Sequence, residues 1–228
     1  METVIAKLRG DLRKYVQGTT ESLILSNILM GILILQYTFR MEPISIIEII
    51  TSVVSGLYLA DLGTGLVHLF LDTYDGNIYE IKQIQIQFLP HDPNPRDILD
   101  LSLINALIQT SFVPAPLICV LYNLTPLTSK SQILFQIVSL YGMHIAQITH
   151  KYAHLANYLK YTQEKPEYKL MLFLQDNHFI LHPIDHNLHH ISANNDMNFC
   201  NVNGWANPLL NSIVHIPFIH SRLFPDTA

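Results

Sequence analysis

Uncharged stretches about as long as a bilayer is thick constrain this chain more than any other feature. Residues 22–39 run for eighteen positions between Glu21 and Arg40 without a charge, close to the roughly twenty that a helix needs to cross a ~30 Å hydrocarbon layer. Residues 44–71 form a longer apolar run broken only by Glu48 and Asp61; Pro43 suits a helix start, and Ser52, Ser55, Gly56, Gly63 and Gly65 suit close helix contact. Residues 101–123 carry no charge but contain Pro114 and Pro116, which kink or split a spanning helix. Residues 132–150 lie between Lys130 and Lys151, the latter placed to reach the headgroups. With 49% hydrophobic and 14% charged residues, the chain has too little charge to coat an ordinary soluble domain. The expectation is an all-α, multi-pass membrane helical bundle of about four spans. It comprises an N-terminal segment 1–21, a membrane domain 22–210 and a tail 211–228.

No small-residue cleavage site follows the first run, so it is expected to stay as an anchor. Lys7, Arg9, Arg13 and Lys14 precede it, and Lys160, Lys165 and Lys169 follow the fourth run, whereas the short loops hold Arg40 and Lys130 alone. The positive-inside rule then places both termini in the cytosol. A net charge of −5 without a basic stripe gives no reason to expect a nucleic-acid partner. Cys119 and Cys200 lack the spacing of a disulfide scaffold or a cysteine zinc site.

Histidine is the unusual residue, with twelve copies, five of them between Asn177 and His190. Counting crossings, His68, His91, His150, His154 and the 177–190 cluster all fall on the cytosolic face. His150 and His154 are four apart, as are His178 and His182; His186, His189 and His190 follow the same logic. Such spacing aims imidazoles from one helix face with Cβ atoms ~5–6 Å apart. Neutral imidazole suits zinc, copper, iron and nickel alike. Eight or nine candidates exceed the four of a closed structural zinc site and point to two ions, each with an open position. His144, His215 and His220 read as ordinary polar residues. Asp72, four after His68, can orient that ring as an acceptor behind the ligands. Asp61, costly in the middle of a span, needs a partner and is expected to face another helix.

Several segments in order resemble a known group. Ala60-Asp61, Gly65-Leu66-Val67-His68, Asp72-Thr73, His150-Lys151-Tyr152-Ala153-His154, Gln175-Asp176-Asn177-His178, Asp185 to His190, and Phe199-Cys200 with Gly204-Trp205-Ala206-Asn207-Pro208-Leu209 are similar to motifs of the membrane lipid desaturase family. That family includes plasmanylethanolamine desaturase (Kua, CarF) and the plastid phosphatidylglycerol desaturase. The resemblance implies a helical membrane bundle with a cytosolic histidine-rich cap, in the endoplasmic reticulum or a bacterial inner membrane according to source. It implies oxygen-dependent desaturation of a phospholipid acyl or alkyl-ether chain at non-haem iron, two ions in all. A b-type cytochrome or ferredoxin would supply electrons. His68, His91, His150, His154, His178, His186, His189 and His190 inherit ligand roles. Pro90, Arg96 and Asp185 stand where the family carries histidines; Asp185 can itself ligate iron, and His182 can swing in, but a guanidinium has no lone pair to give. One ion is then weak or absent, and a catalytically impaired relative serving as a membrane binding or scaffold protein is the alternative reading.

Removing hydrogen from an unactivated chain is beyond any side-chain acid or base and needs a redox-active metal. Its substrate arrives from the bilayer, so the site is expected where the spans meet the surface. Residues 168–181, with Leu170, Phe173 and Leu174, suit an interfacial lid.

Overall fold

The computed structural model describes residues 20–88, 98, 102–111, 129–159, 165–192 and 196–225. The basic N-terminal segment, Pro90, His91, Arg96, Pro114, Pro116, Cys119, Lys160 and most of the third apolar run lie outside the described residues.

All regular structure among the described residues is helical. In chain order the helices are α1 (Thr20–Phe39), α2 (Ile46–Thr73), α3 (Tyr79–Phe88), α4 (Leu103–Thr110), α5 (Lys130–His144), α6 (Ala146–Leu159), α7 (Pro166–Asp176), α8 (Pro183–Ile191), α9 (Asn207–Val214) and α10 (Pro217–Leu223). Of these, α1 and α2 are long and apolar enough to cross a membrane. The fourth apolar run is two helices. At Ile145 the chain steps from α5 to α6, and the carbonyl of His144 accepts from the Thr110 hydroxyl of α4.

Local chemistry explains the starts. Ser45, rather than Pro43, caps α2: its hydroxyl accepts from the Glu48 amide at 3.2 Å, while the Glu48 carboxylate accepts from the Ser45 amide at 2.8 Å. Glu48, one of the two charges in this run, therefore serves the first turn, where the helix dipole favours a negative group. Ser129 and Gln132 make the same reciprocal pair at α5. Pro166, Pro183 and Pro217 occupy the first turns of α7, α8 and α10, where a missing N–H costs nothing.

The packing is inverted relative to a water-soluble bundle. Helix α1 buries Ser22, Ser26, Met30 and Leu33 and exposes Ile24, Leu25, Ile28, Ile32 and Leu35. The Ser22 hydroxyl meets that of Ser111, and the Ser26 hydroxyl donates to the Ser111 carbonyl. Helix α2 buries Ser52, Gly56 and Ala60, spaced by four, against α5. A Cβ at Gly56 would lie 2.9 Å from the Phe135 carbonyl oxygen, and one at Gly142 would lie 2.6 Å from the Ala60 Cβ. Small residues at the seam and large apolar residues outside are what helix association in lipid requires. This is a membrane protein.

An irregular segment, residues 196–206, returns along the second half of α2. Phe199, Cys200, Ala206, Leu210 and Val214 form a buried cluster there with Tyr58, Leu62 and Leu69 packed against it. Asp61 does not face another helix. Its Oδ1 accepts from the backbone amides of Val202 (3.0 Å), Asn203 (2.9 Å) and Gly204 (3.1 Å), and its Oδ2 from Ala206 (2.9 Å). The turn passes through Gly204 at φ +78°, a left-handed conformation suited to glycine. Four backbone donors of a chain reversal are thus satisfied by one carboxylate 141 to 145 residues earlier in sequence.

Candidate metal centre

Three helices deliver the imidazoles. The C-terminal end of α2 brings His68 and Asp72, α6 brings His150 and His154, and α8 brings His186, His189 and His190. Helix α8 is aimed by its own start, where the His182 ring accepts from the Ile184 amide at 3.2 Å, followed by Pro183. Its spacing turns His186 and His190 to one set of partners and His189 to another.

The first cluster is His150, His154, His186 and His190. The Nε2 of His186 lies 2.9 Å from that of His150, 2.8 Å from that of His154 and 2.9 Å from that of His190; the His150 and His154 Nε2 atoms are 3.3 Å apart. A ring nitrogen carries either one proton or one lone pair. It can make only one of these three contacts as a hydrogen bond, so mutual hydrogen bonding does not explain the convergence. A shared cation does: with metal–nitrogen bonds of about 2.0–2.1 Å, two ligand nitrogens lie roughly 2.9 Å apart at a right angle and roughly 3.3 Å apart at the tetrahedral angle, the range spanned by these four contacts. The Nδ1 of His150 is 2.9 Å from the Gln147 side-chain oxygen, which holds the proton on Nδ1 and frees the Nε2 lone pair.

The second cluster is His68, Asp72 and His189. The Asp72 Oδ2 lies 3.4 Å from His68 Nε2 and 3.5 Å from His189 Nε2. Both rings are oriented from behind by backbone carbonyls, His68 Nδ1 by Phe199 at 3.0 Å and His189 Nδ1 by Met197 at 2.8 Å. Carbonyls only accept, so each Nδ1 carries the proton and each Nε2 is left as a lone pair. Among the described residues these two buried Nε2 atoms have no hydrogen-bond partner. Asp72 therefore stands level with the ligand atoms instead of behind His68, and Phe199 performs the orienting role that the sequence assigned to Asp72. The clusters adjoin: the His68 and His189 ring centroids are 4.6 Å apart, and those of His68 and His150 are 6.2 Å apart.

Protonation agrees with this geometry. Burial, reinforced by the imidazoles of His154, His190, His189 and His68, holds His186 well below the ordinary histidine value. Burial and His68 push His189 down to about 2, against the opposing pull of the Met197 carbonyl, and burial and His68 bring His190 to about 4. Neutral rings at pH 7 are the ligand form.

The remaining sequence candidates fall elsewhere. His178 is exposed, and its ring stacks on that of His182 at 5.0 Å, apart from both clusters. Its backbone is left-handed (φ 55°), and its carbonyl accepts from the Trp205 indole. The i, i+4 spacing failed at this pair because α7 ends at Asp176, so the two share no helix. The His182 Nδ1 is used as a helix cap instead of swinging into the site. Asp185 belongs to neither cluster; its carbonyl accepts from the Asn198 side chain. Both clusters are assembled without a histidine at 185. His91 and Arg96 lie outside the described residues. His144 is buried but joins neither cluster. His215 and His220, read as ordinary polar residues, meet at Asp196. Their spacing of five across Pro217 matches no single-helix pattern, so sequence reasoning passed over them.

The lipid desaturase domain model matches residues 57–219, more than half of the chain and inclusive of every residue of both clusters. The chain belongs to the lipid desaturase family. Membership implies an oxidoreductase, and the two histidine groups suit the metal that such chemistry needs. No curated protein and no solved structure matches this lipid desaturase family member.

Proposed function

We propose that this chain desaturates an acyl or alkyl-ether chain of a membrane phospholipid, with two iron ions held by the adjoining clusters. The specific family members whose motifs it resembles, plasmanylethanolamine desaturase and the plastid phosphatidylglycerol desaturase, suggest those two substrate classes. The observation that carries the reading is the convergence of seven ligand-type side chains from α2, α6 and α8, with their Nδ1 atoms tied back in three cases. Imidazole-rich sets with one carboxylate suit iron.

When bound, the iron pair supplies the two-electron oxidising chemistry that none of these side chains provides. Overall, a saturated CH₂–CH₂ unit, dioxygen, two electrons and two protons give a double bond and two waters. The chain's own residues have three tasks. His150, His154, His186 and His190 hold one ion, and His68, Asp72 and His189 the other. Gln147 and the carbonyls of Met197 and Phe199 keep the lone pairs aimed inward. Exposed Val67 and Phe70, beside His68 on α2, together with Leu170 and Phe173 on α7, offer apolar surface to a lipid tail. The two electrons come from a b-type cytochrome or ferredoxin on the cytosolic side, where both termini also lie.

Lipid analysis of a desaturase-deficient host expressing the chain or its His189→Ala variant tests this. New acyl or vinyl-ether double bonds are expected with the former alone, together with close to two irons per purified chain. Normal membrane insertion without iron or new double bonds refutes the enzymatic reading and leaves the scaffold alternative.

A further inference from the structure

A third side-chain group lies outside both clusters. His215, at the end of α9, and His220, on α10, are brought together by the corner at Pro217. Their rings stack at 19° with centroids 5.7 Å apart. Both Nε2 atoms face one oxygen, Asp196 Oδ2, at 3.4 Å from His215 and 3.1 Å from His220. The ligand atoms of all three residues lie within 4.8 Å of one another.

The tautomer of His215 makes this arrangement more than an ion pair. Its Nδ1 is 2.9 Å from the Asn211 carbonyl oxygen. That oxygen accepts, so Nδ1 holds a proton, and in the neutral ring the Nε2 lone pair is turned toward a carboxylate oxygen. In that form two lone pairs face one another at 3.4 Å, which is repulsive unless a cation, a metal ion or a proton on Nε2, lies between them. A carbonyl behind one imidazole nitrogen with the other directed at an oxygen ligand is the usual setting of a metal-bound histidine. The 3.1 and 3.4 Å separations bracket the roughly 3.3 Å edge of a tetrahedron built on bonds of about 2.0–2.2 Å. Two imidazoles and one carboxylate leave a fourth position for water, a set that zinc and ferrous iron both accept.

We propose that Asp196, His215 and His220 bind a separate divalent transition cation. The site shares no residue with the two clusters and does not depend on the desaturase reading. Its placement gives it a task. Asp196 directly precedes Met197, whose carbonyl holds the His189 ring, and the Asn198 amide donates to the Asn211 side chain at 2.9 Å. A cation here would fasten the α9–α10 corner to the strip of backbone that orients His189.

The test uses the full chain purified in detergent, stripped with chelator and titrated with cobalt(II). The wild type is expected to bind one equivalent more than Asp196→Asn or His215→Gln, while both variants retain the equivalents of the histidine clusters. Equal counts in all three chains overturn the site and leave a proton as the cation between His215 and Asp196. Should either variant misfold, His220→Cys decides: a sulfur-to-cobalt charge-transfer band absent from the wild type supports the site, and no such band in a folded chain overturns it. Competition with zinc and ferrous iron at this extra equivalent tells which ion it prefers.

Discussion

Replacing Asp61 by asparagine exchanges one oxygen for nitrogen where α2 meets the 202–206 turn. The carboxylate accepts four backbone N–H bonds of 2.9–3.1 Å. The best asparagine placement keeps its oxygen on Val202, Asn203 and Gly204 and turns its amide toward the Ala206 N–H, donor against donor. One hydrogen bond to a charged group, about 1.5–3 kcal/mol, is lost outright. Each of the other three falls from the charged to the neutral class, at roughly 0.5–1 kcal/mol apiece. Lower desolvation of the amide offsets part of this, so Asp61→Asn is expected to cost about 2–4 kcal/mol. Asp61→Ala strands all four donors at about 1–3 kcal/mol each, a sum comparable with the whole stability of a typical domain. Denaturant titration of the detergent-purified chain measures both. Iron content should fall alongside, because Phe199, beside the turn, positions His68. An Asp61→Asn chain within about 0.5 kcal/mol of wild type, with full iron, would refute the clamp.

His186→Ala removes the nitrogen that three others surround and should reduce iron per chain by at least half and activity at least about 100-fold, read by elemental analysis and product formation. Asp185→His, by contrast, should leave iron content unchanged in the same analysis, since that side chain belongs to neither cluster. For pH, the folded chain holds His186, His189 and His190 below the ordinary value near 6.5, so the unfolded state binds more protons on acidification. The stability of the metal-free chain should therefore be flat above about pH 7 and fall progressively from roughly pH 6.5 through 4 and on toward about 2, as followed by denaturant titration at stepped pH. Gly56→Leu, which drives a side chain into the Phe135 carbonyl and Val138, should cost about 1–3 kcal/mol and loosen α2 from α5, measured by the same titration and by cross-linking between them.

The membrane character and most cluster residues were legible because both follow from short-range rules. An eighteen-residue uncharged run needs no partner to be recognised, and His150 with His154 lie on one helix whatever surrounds them. What the sequence concealed depends on distant backbone. The role of Asp61 required knowing that an irregular segment returns along α2, and no periodicity announces that. Asp72 was misplaced because its spacing from His68 says the two are neighbours but not which ring nitrogen it meets. Spacing misled at His178 and His182, where α7 stops two residues short of the first histidine. It was silent at His215 and His220, which a proline corner brings together.

The ligands of the centre are spread from position 68 to position 190, yet the backbone that aims two of them arrives only with residues 197–199, and the donors that quiet Asp61 only with residues 202–206. During synthesis α2 must therefore enter the bilayer with its aspartate unanswered and wait for more than a hundred further residues to be translated. A nascent chain halted before that turn would carry every imidazole of both clusters and still lack the means to organise them. Any metal that the two clusters take up would thus meet an organised set of ligands only after that turn has been made.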